Sequence, residues 1–389
     1  MIWYLNMKKD IYITALHLAH GGVEMAISLM SNAFVKKGYN VTILSLYNLG
    51  EPAYSILPEV KIEYLTDVKP NRQEFLSAVK SKNPFKLLKE GLYSLKVLRL
   101  KKTALVKRIK EIDDGIIIST RNEHSVLLSE YGNKNVLKIA QLHHDHCFNK
   151  RLLSDIKHRY LNIDFFTLLT EQLTEEVKEL IKEKNSHTRC VTMENFLDAV
   201  DFNVDFNKKE KTVIAVGRLH KVKGFDRLLK IWAKTVKEHK DWRLYLVGDG
   251  EEKQNLIDIA EESGISDSVV FTGALSHENV LDIMKKASVY VMTSHSEGFP
   301  FVLIEAMSCG LPIVAFDVRV GPRAIINDNK NGLLVTDGDF DAFNNALCKL
   351  IEDSELRLDY SKKALERADD FTEEKIAQKW ISLFTRTEH

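Results

Sequence analysis

Two hydrophobic patterns alternate along the chain. Runs that are apolar at nearly every position, among them "DIYITALHL", "NVTILSL", "GIIIST" and "LKIAQLHH", are separated by longer stretches such as "GGVEMAISLMSNAFVKKG". The continuous apolar runs suit strands buried on both faces, whereas the longer stretches suit helices with one face on a core. Gly38 closes the first of these helices. The alternation restarts at "KTVIAVGRL" and runs on through "DRLLKIWAKTVKEH", "WRLYLVGDG", "EEKQNLIDIAEESGI" and "SVVFTGAL". Between the two series, from about 190 to 210, "MENFLDAVDFNVDFNKKEK" turns polar and aperiodic. The pattern predicts an α/β protein of two doubly wound, Rossmann-like parallel sheets facing across a cleft. The expected domains are 1–195 and 205–365, with a helix in 366–389 packing back toward the first. Ligands of such sheets bind beyond the carboxyl ends of the strands, so the loops after strands should hold the chemistry.

The length of 389 residues fits two domains, and equal totals of 55 basic and 55 acidic residues give no global attraction to nucleic acid. The balance is local: residues 1–200 carry a surplus of about six positive charges, and residues 80–110 hold eleven Lys or Arg against one Glu. Cys147, Cys190, Cys309 and Cys348 form no CxxC pair, which favours reduced thiols and a cytoplasmic protein. No apolar run approaches the roughly 18 residues of a membrane span. "MIWYLN" is too short for a signal-peptide core, and Met7-Lys8-Lys9 is the alternative start.

"SEGFPFVLIEAMSCGLP", Ser296 to Pro312, lies between the strand-like "SVYVMTS" and "PIVAF". Pro300 and Gly310 bracket a predicted helix over Phe301 to Cys309, with Glu297 in the loop before it and Glu305 a turn or so inside. Local sequence alone leaves open that both are solvated charges. "VGRLHKVKGFDRLL" brings Arg218 and Lys223 off a strand end just before a helix, where the pair can converge on a diphosphate or remain surface cations. "HGGVE" puts Gly21 and Gly22 at a helix N-terminus, a place for an anion or a plain tight turn. It is not G-x-G-x-x-G, so a Rossmann dehydrogenase loses its main support. "QLHHDHCF" offers His143, His144, Asp145 and His146. Neighbours on an extended segment point to opposite sides, which disfavours metal binding and favours one cleft-facing histidine. "DGD" at Asp337 to Asp339 reads as a turn, and no metal site is expected.

Taken together, "VGRLHKVKGFDRLL", "LYLVGDGEEKQNL", "VVFTGAL", "SEGFPFVLIEAMSCGLPIVAFD" and "GPRAIINDNKNGLLV" resemble the second domain of retaining glycosyltransferases of family four, with the GT-B fold. The likeness covers nearly all of residues 211–340, and the first half shares it more loosely. It implies transfer of a hexose-type sugar, with retention, from a nucleoside diphosphate sugar to a glycan or lipid-linked glycan, as in cell-surface polysaccharide synthesis. A UDP-sugar is the favoured donor, and no cofactor or metal is implied. In the E-x7-E signature Glu297 would meet donor-sugar hydroxyls and Glu305 the ribose. The backbone of "GFP", Gly298, Phe299 and Pro300, would supply N–H groups to sugar and phosphates from a helix N-terminus. Arg218 and Lys223 match the diphosphate pair, Gly22 would let its loop close on the phosphates, and His143 matches the acceptor-side histidine, with His144 or His146 as substitutes. Ala324 stands where the family usually has Glu, and "MENFLD" replaces its usual linker, which leaves Asn195 without an implied role. A nucleotide-sugar epimerase or hydrolase on the same fold is the main rival; a non-catalytic sugar-nucleotide binding module is the other.

The basic segment Asn83 to Lys110 interleaves Leu88, Leu92, Leu95, Leu105 and Ile109 with lysines and arginines at helical spacing. This is the composition of a helix lying on an anionic membrane, or of a core-packed helix with a solvated basic face. The first reading implies peripheral attachment to the inner membrane face and a membrane-borne acceptor.

Overall fold

The computed structural model describes residues 10–198 and 204–385, so the Met7 start and the middle of the polar seam lie outside the described residues. The chain divides into two units. The first gathers residues up to Leu168, Thr174–Met193 and the chain from Ala377 onward; the second gathers Leu169–Leu173 and Glu194–Ile376.

The first unit holds a seven-stranded parallel sheet of β1 (Asp10–Ala15), β2 (Asn40–Tyr47), β3 (Lys61–Thr66), β4 (Ile116–Ser119), β5 (Leu137–Leu142), β6 (Phe165–Leu168) and β7 (Arg189–Thr192), in the order β3-β2-β1-β4-β5-β6-β7. β4, β5 and β6 are buried at every position, as expected of strands covered by helices on both faces. The helix Gly22–Lys36 leads out of β1, and Gly38 follows it at φ 87°, the left-handed conformation that glycine tolerates. The last helix, Glu373–Thr385, adds a hydrophobic contact to this unit. Its Trp380 is 1% exposed and meets Phe34 edge-on at 5.8 Å, and Phe384 meets Phe34 edge-on too, at 5.4 Å.

The second unit repeats the plan with β8 (Thr212–Val216), β9 (Arg243–Val247), β10 (Val269–Gly273), β11 (Val289–Met292), β12 (Ile313–Asp317) and β13 (Gly332–Thr336), ordered β10-β9-β8-β11-β12-β13. Its core centres on Trp232, Leu244, Leu246, Val291, Phe316 and Phe343. The described start of the polar linker is tied to this unit: Leu197 donates its N–H to the Phe371 carbonyl, and its carbonyl accepts from the Glu373 N–H. In each sheet the strand order reverses once, between β1 and β4 and between β8 and β11. At such a reversal the flanking loops diverge and leave a crevice at the strand carboxyl ends.

The basic segment is a single helix, Pro84–Glu111, capped by Asn83. Its predicted apolar stripe divides in two. Leu105 and Ile109 are buried in the core, whereas Leu88, Leu92 and Leu95 are about 60% exposed and Phe85 is 84% exposed. The preceding helix, Arg72–Lys80, adds half-exposed Leu76 and Val79. No helix among the described residues is long and apolar enough to cross a membrane.

Trp380→Ala is expected to lower the stability of the first unit by about 3–5 kcal/mol, the usual cost of removing a buried large aromatic. Chemical denaturation checks this; an unchanged midpoint would show that the last helix contributes little to that core.

Candidate functional site

The loops that leave β8 and β11, on either side of the reversal, are laced together. The chain after β8 runs through Gly217 and Arg218 into a 3-10 turn, Lys221–Lys223, then Gly224, then the helix Phe225–Glu238. The Thr293 hydroxyl donates to the Gly224 carbonyl at 2.8 Å, and the His295 N–H to the Val222 carbonyl at 2.8 Å. Gly224 sits at φ 62°, and a Cβ there would lie 2.2 Å from the Thr293 carbonyl oxygen, so only glycine permits this approach.

Across these loops Lys223 Nζ stands 2.8 Å from Glu297 Oε1, with the Glu297 side chain only 9% exposed and that of Lys223 26% exposed. The ammonium offsets part of the cost of withdrawing this carboxylate from water. The Arg218 side chain is exposed and has no ion pair among the described residues. Arg227, which the sequence reading passed over, is 5% exposed and ties the region down. It lies over the Phe316 ring at 4.1 Å, pairs with Asp337 and bonds His295 Nδ1 at 3.1 Å. The "DGD" stretch is a turn, as its position suggested: Asp337 meets Arg227, and Asp339 caps the helix Phe340–Glu352 by accepting from the Ala342 N–H.

Pro300 caps the helix Phe301–Ser308, which begins where predicted and stops a residue before the predicted Cys309. Gly298 is partly exposed, while Phe299 and Pro300 are buried. Phe299 rests edge-on against Phe371 at 5.5 Å, and its carbonyl accepts from Asn195 Nδ2 at 3.1 Å. Asn195, to which the resemblance gave no role, therefore supports this loop. Gly321 does so too, since a Cβ there would press on Glu297 Cβ at 3.1 Å and on Pro300 Cδ at 3.3 Å. Glu305 is not a solvated charge: it is 7% exposed, and its Oε1 accepts from His277 Nε2 at 2.9 Å. The other sequence-derived glutamate, Glu297, is equally sheltered.

In the first unit the loops after β1, β4 and β5 carry a second polar group. Gly22 is exposed with open space where a side chain would stand, whereas the space over Gly21 is filled by the Glu24 carboxylate. Glu24 is buried and pairs with Arg121 at 3.1 Å. His143 follows β5, and burial, with His144 and the Arg121 guanidinium close by, pushes its pKa down to about 3. Its Nε2 is buried without a hydrogen-bond partner among the described residues. His144 is also shifted down by burial and Arg121. His146 bonds Glu176 at 2.8 Å, so it is already committed within the protein. Both Glu24 and Arg121 escaped the sequence reading because nothing local announces a pair 97 positions apart.

Residues 198–367 match the family described as glycosyl transferases group 1. An uncharacterised glycosyltransferase of Haemophilus influenzae is 30% identical over 362 residues, spanning 92% of this chain and 95% of the relative. The amylovoran biosynthesis glycosyltransferase AmsD of Erwinia amylovora is 26% identical over 92% of this chain and 95% of its own. Among solved structures, S. aureus TarM in complex with fondaparinux, alpha-GlcNAc-glycerol and UDP superposes with a TM-score of 0.76 at 16% identity, covering 97% of this chain and 100% of that one. The fold is GT-B, and the chain belongs to the glycosyl transferases of group 1. It is a glycosyltransferase.

Gly224→Ala tests the lacing of the two loops. We expect a loss of roughly 1–3 kcal/mol in the second unit, the scale of a strained backbone position, together with reduced turnover. Thermal denaturation and an activity assay check both, and a variant with unchanged melting and turnover would show that the close approach is dispensable.

Proposed function

We propose that the enzyme moves a hexose-type sugar, with retention, from a UDP-sugar to a hydroxyl of a glycan or lipid-linked glycan in cell-surface polysaccharide synthesis. The observation that carries this reading is the meeting of Lys223 and Glu297 at the β8/β11 reversal, with Glu305 sheltered one helix turn or so beyond. The UDP bound to TarM and the amylovoran biosynthesis named for AmsD support the donor and the setting.

In this proposal Glu297 accepts hydrogen bonds from donor-sugar hydroxyls and Glu305 from the ribose. The N–H groups of Gly298 and Phe299, before the Phe301–Ser308 helix, approach sugar and phosphate; Pro300 has no N–H and shapes the turn. Arg218 and Lys223 supply positive charge where the diphosphate departs. The bond from the anomeric carbon to the diphosphate oxygen breaks, the acceptor oxygen bonds to the same face, and its proton passes to the departing phosphate. Gly22 leaves room for a phosphate at the Gly22–Lys36 helix N-terminus. His143 is neutral at pH 7, which suits it to a hydroxyl contact and not to proton transfer.

Calorimetry with UDP separates the two glutamates. Glu297→Ala should cut turnover with UDP affinity largely kept, whereas Glu305→Ala should weaken UDP itself; equal losses of affinity would overturn the division. Lys223→Ala should lower kcat by roughly 100-fold, as loss of a preorganised charge contact does. A near-normal kcat would reduce it to a surface cation. Release of UDP without any acceptor, or interconversion of donor epimers, would favour the epimerase or hydrolase reading.

We also propose that the exposed face of the 84–111 helix rests on an anionic membrane and receives a membrane-borne acceptor. Phe85, Leu88, Leu92 and Leu95 stand exposed beside Lys86, Lys89, Lys96 and Arg99, an arrangement that lets apolar side chains enter the interface while the cations meet lipid headgroups. Each such cation contributes about 1 kcal/mol near an anionic surface. Cosedimentation should therefore show binding to anionic vesicles at low salt that is lost when these four cations are replaced by Glu. Equal partition to neutral and anionic vesicles, or none to either, would remove the membrane-borne acceptor and leave glycosyl transfer standing.

A further inference from the structure

Glu305 reaches its surroundings through one oxygen only. Oε1 accepts from His277 Nε2 at 2.9 Å, and Oε2 has no hydrogen-bond partner among the described residues. A carboxylate cannot donate, so the hydrogen lies on His277 Nε2. Both ends of this contact are fixed. His277 is the first residue of the helix His277–Lys286, whose preceding Ser276 accepts from the Asn279 N–H, and Glu305 lies inside the helix Phe301–Ser308. The exposures differ sharply: the Glu305 side chain is 9% exposed and that of His277 52%. The imidazole thus closes one side of the carboxylate and stands at its solvent edge, while the carboxylate keeps its second oxygen unspent.

We infer that His277 is a positioning residue for the nucleotide: its ring holds Glu305 so that Oε2 meets a ribose hydroxyl, and its exposed edge faces an anionic nucleoside diphosphate. The inference rests on the assignment of Glu305 to the nucleotide and adds to it a residue outside the E-x7-E signature. A free glutamate would have to give up side-chain freedom on binding, and the His277 contact removes much of that cost beforehand.

The contact also makes nucleotide binding depend on pH. The elements packed most closely against the His277–Lys286 helix are β8, which has no titratable side chain, and the Phe301–Ser308 helix, whose single titratable residue is Glu305; Cys309 beyond it reaches the Leu281 carbonyl, Glu210 bonds the Lys286 carbonyl through its N–H, and the helix itself carries Glu278, Asp282, Lys285 and Lys286. Of these, Glu305 is the charge that acts on His277. The hydrogen bond to Glu305 raises the His277 pKa, burial opposes this, and the carboxylate charge adds to the rise. His277 therefore stays charged to a higher pH than a free histidine and loses its charge as pH climbs through the raised value. The cation favours an anionic ligand, so affinity falls over that interval, while the neutral ring still donates from Nε2.

The test is calorimetric titration of the intact enzyme with UDP, and with GDP and ADP in parallel, from pH 6 to pH 8.5. His277→Ala should weaken the preferred nucleoside diphosphate about tenfold at the acid end, the scale of one hydrogen bond to a charged group. His277→Gln still donates a hydrogen bond but does not titrate. It should restore affinity to within about threefold of the wild-type value at pH 8.5 and remove the part of the pH dependence that exceeds the nucleotide's own, which both proteins share. Glu305→Ala separates the inference from its premise. If Glu305→Ala loses affinity and His277→Ala does not, the role of His277 is overturned and the glutamate keeps its own. Unchanged affinity in Glu305→Ala would remove the premise, and with it the inference.

Discussion

The second unit is organised around one contact, the ammonium of Lys223 against the sheltered carboxylate of Glu297. Two loops from strands on opposite sides of the sheet reversal must come within hydrogen-bond distance for it to form. Several otherwise unrelated residues serve that approach. Gly224 lets the backbone touch the Thr293 carbonyl, Gly321 leaves room beside Glu297, and Arg227 joins His295 to Asp337 over the Phe316 ring. Burying a carboxylate costs several kcal/mol unless a partner offsets it, so the lysine and this packing depend on each other. Arg218, just past the end of β8, is exposed and has no ion pair among the described residues.

The two units solve the problem of buried charge differently. In the second, Glu297 and Glu305 each have one oxygen held by a cation or ring N–H and the other without a partner among the described residues. In the first, Arg121 is matched by Glu24, and burial together with the field of its guanidinium lowers the pKa of His144 and brings that of His143 down to about 3. The strand-end histidine is thereby a neutral polar group. A chemistry that leaves proton movement to the departing phosphate is consistent with such a site, because no charged acid is needed from that ring.

Much of the fold was legible in the sequence because parallel strands covered on both faces write themselves as uninterrupted apolar runs. β8 and β11 were placed that way, with helix ends within a residue for Phe301–Ser308, and the strand-end turns after them hold Arg218, Lys223 and Glu297, the residues to which the family resemblance gave roles. What escaped depends on distant partners. Asn195 lies 104 positions from Phe299, and Arg227 lies 110 from Asp337, so no local pattern marks either. β3 was missed because its residues are only partly buried and its alternation is weak. The leucines of the 84–111 helix shared one spacing but not one fate. Periodicity shows which face is apolar, whereas tertiary packing decides that Leu105 is covered and Leu95 is not.

The most direct measurement of the central contact is a double-mutant cycle on turnover, with Lys223→Met, Glu297→Gln and the double variant compared by nucleoside diphosphate release from the donor sugar. If the two side chains act as one unit on the same transition state, the double variant should be little worse than the poorer single variant, within about threefold. Losses that multiply across the two substitutions would mean that lysine and glutamate act independently, and would contradict the account of a single site built at the β8/β11 reversal.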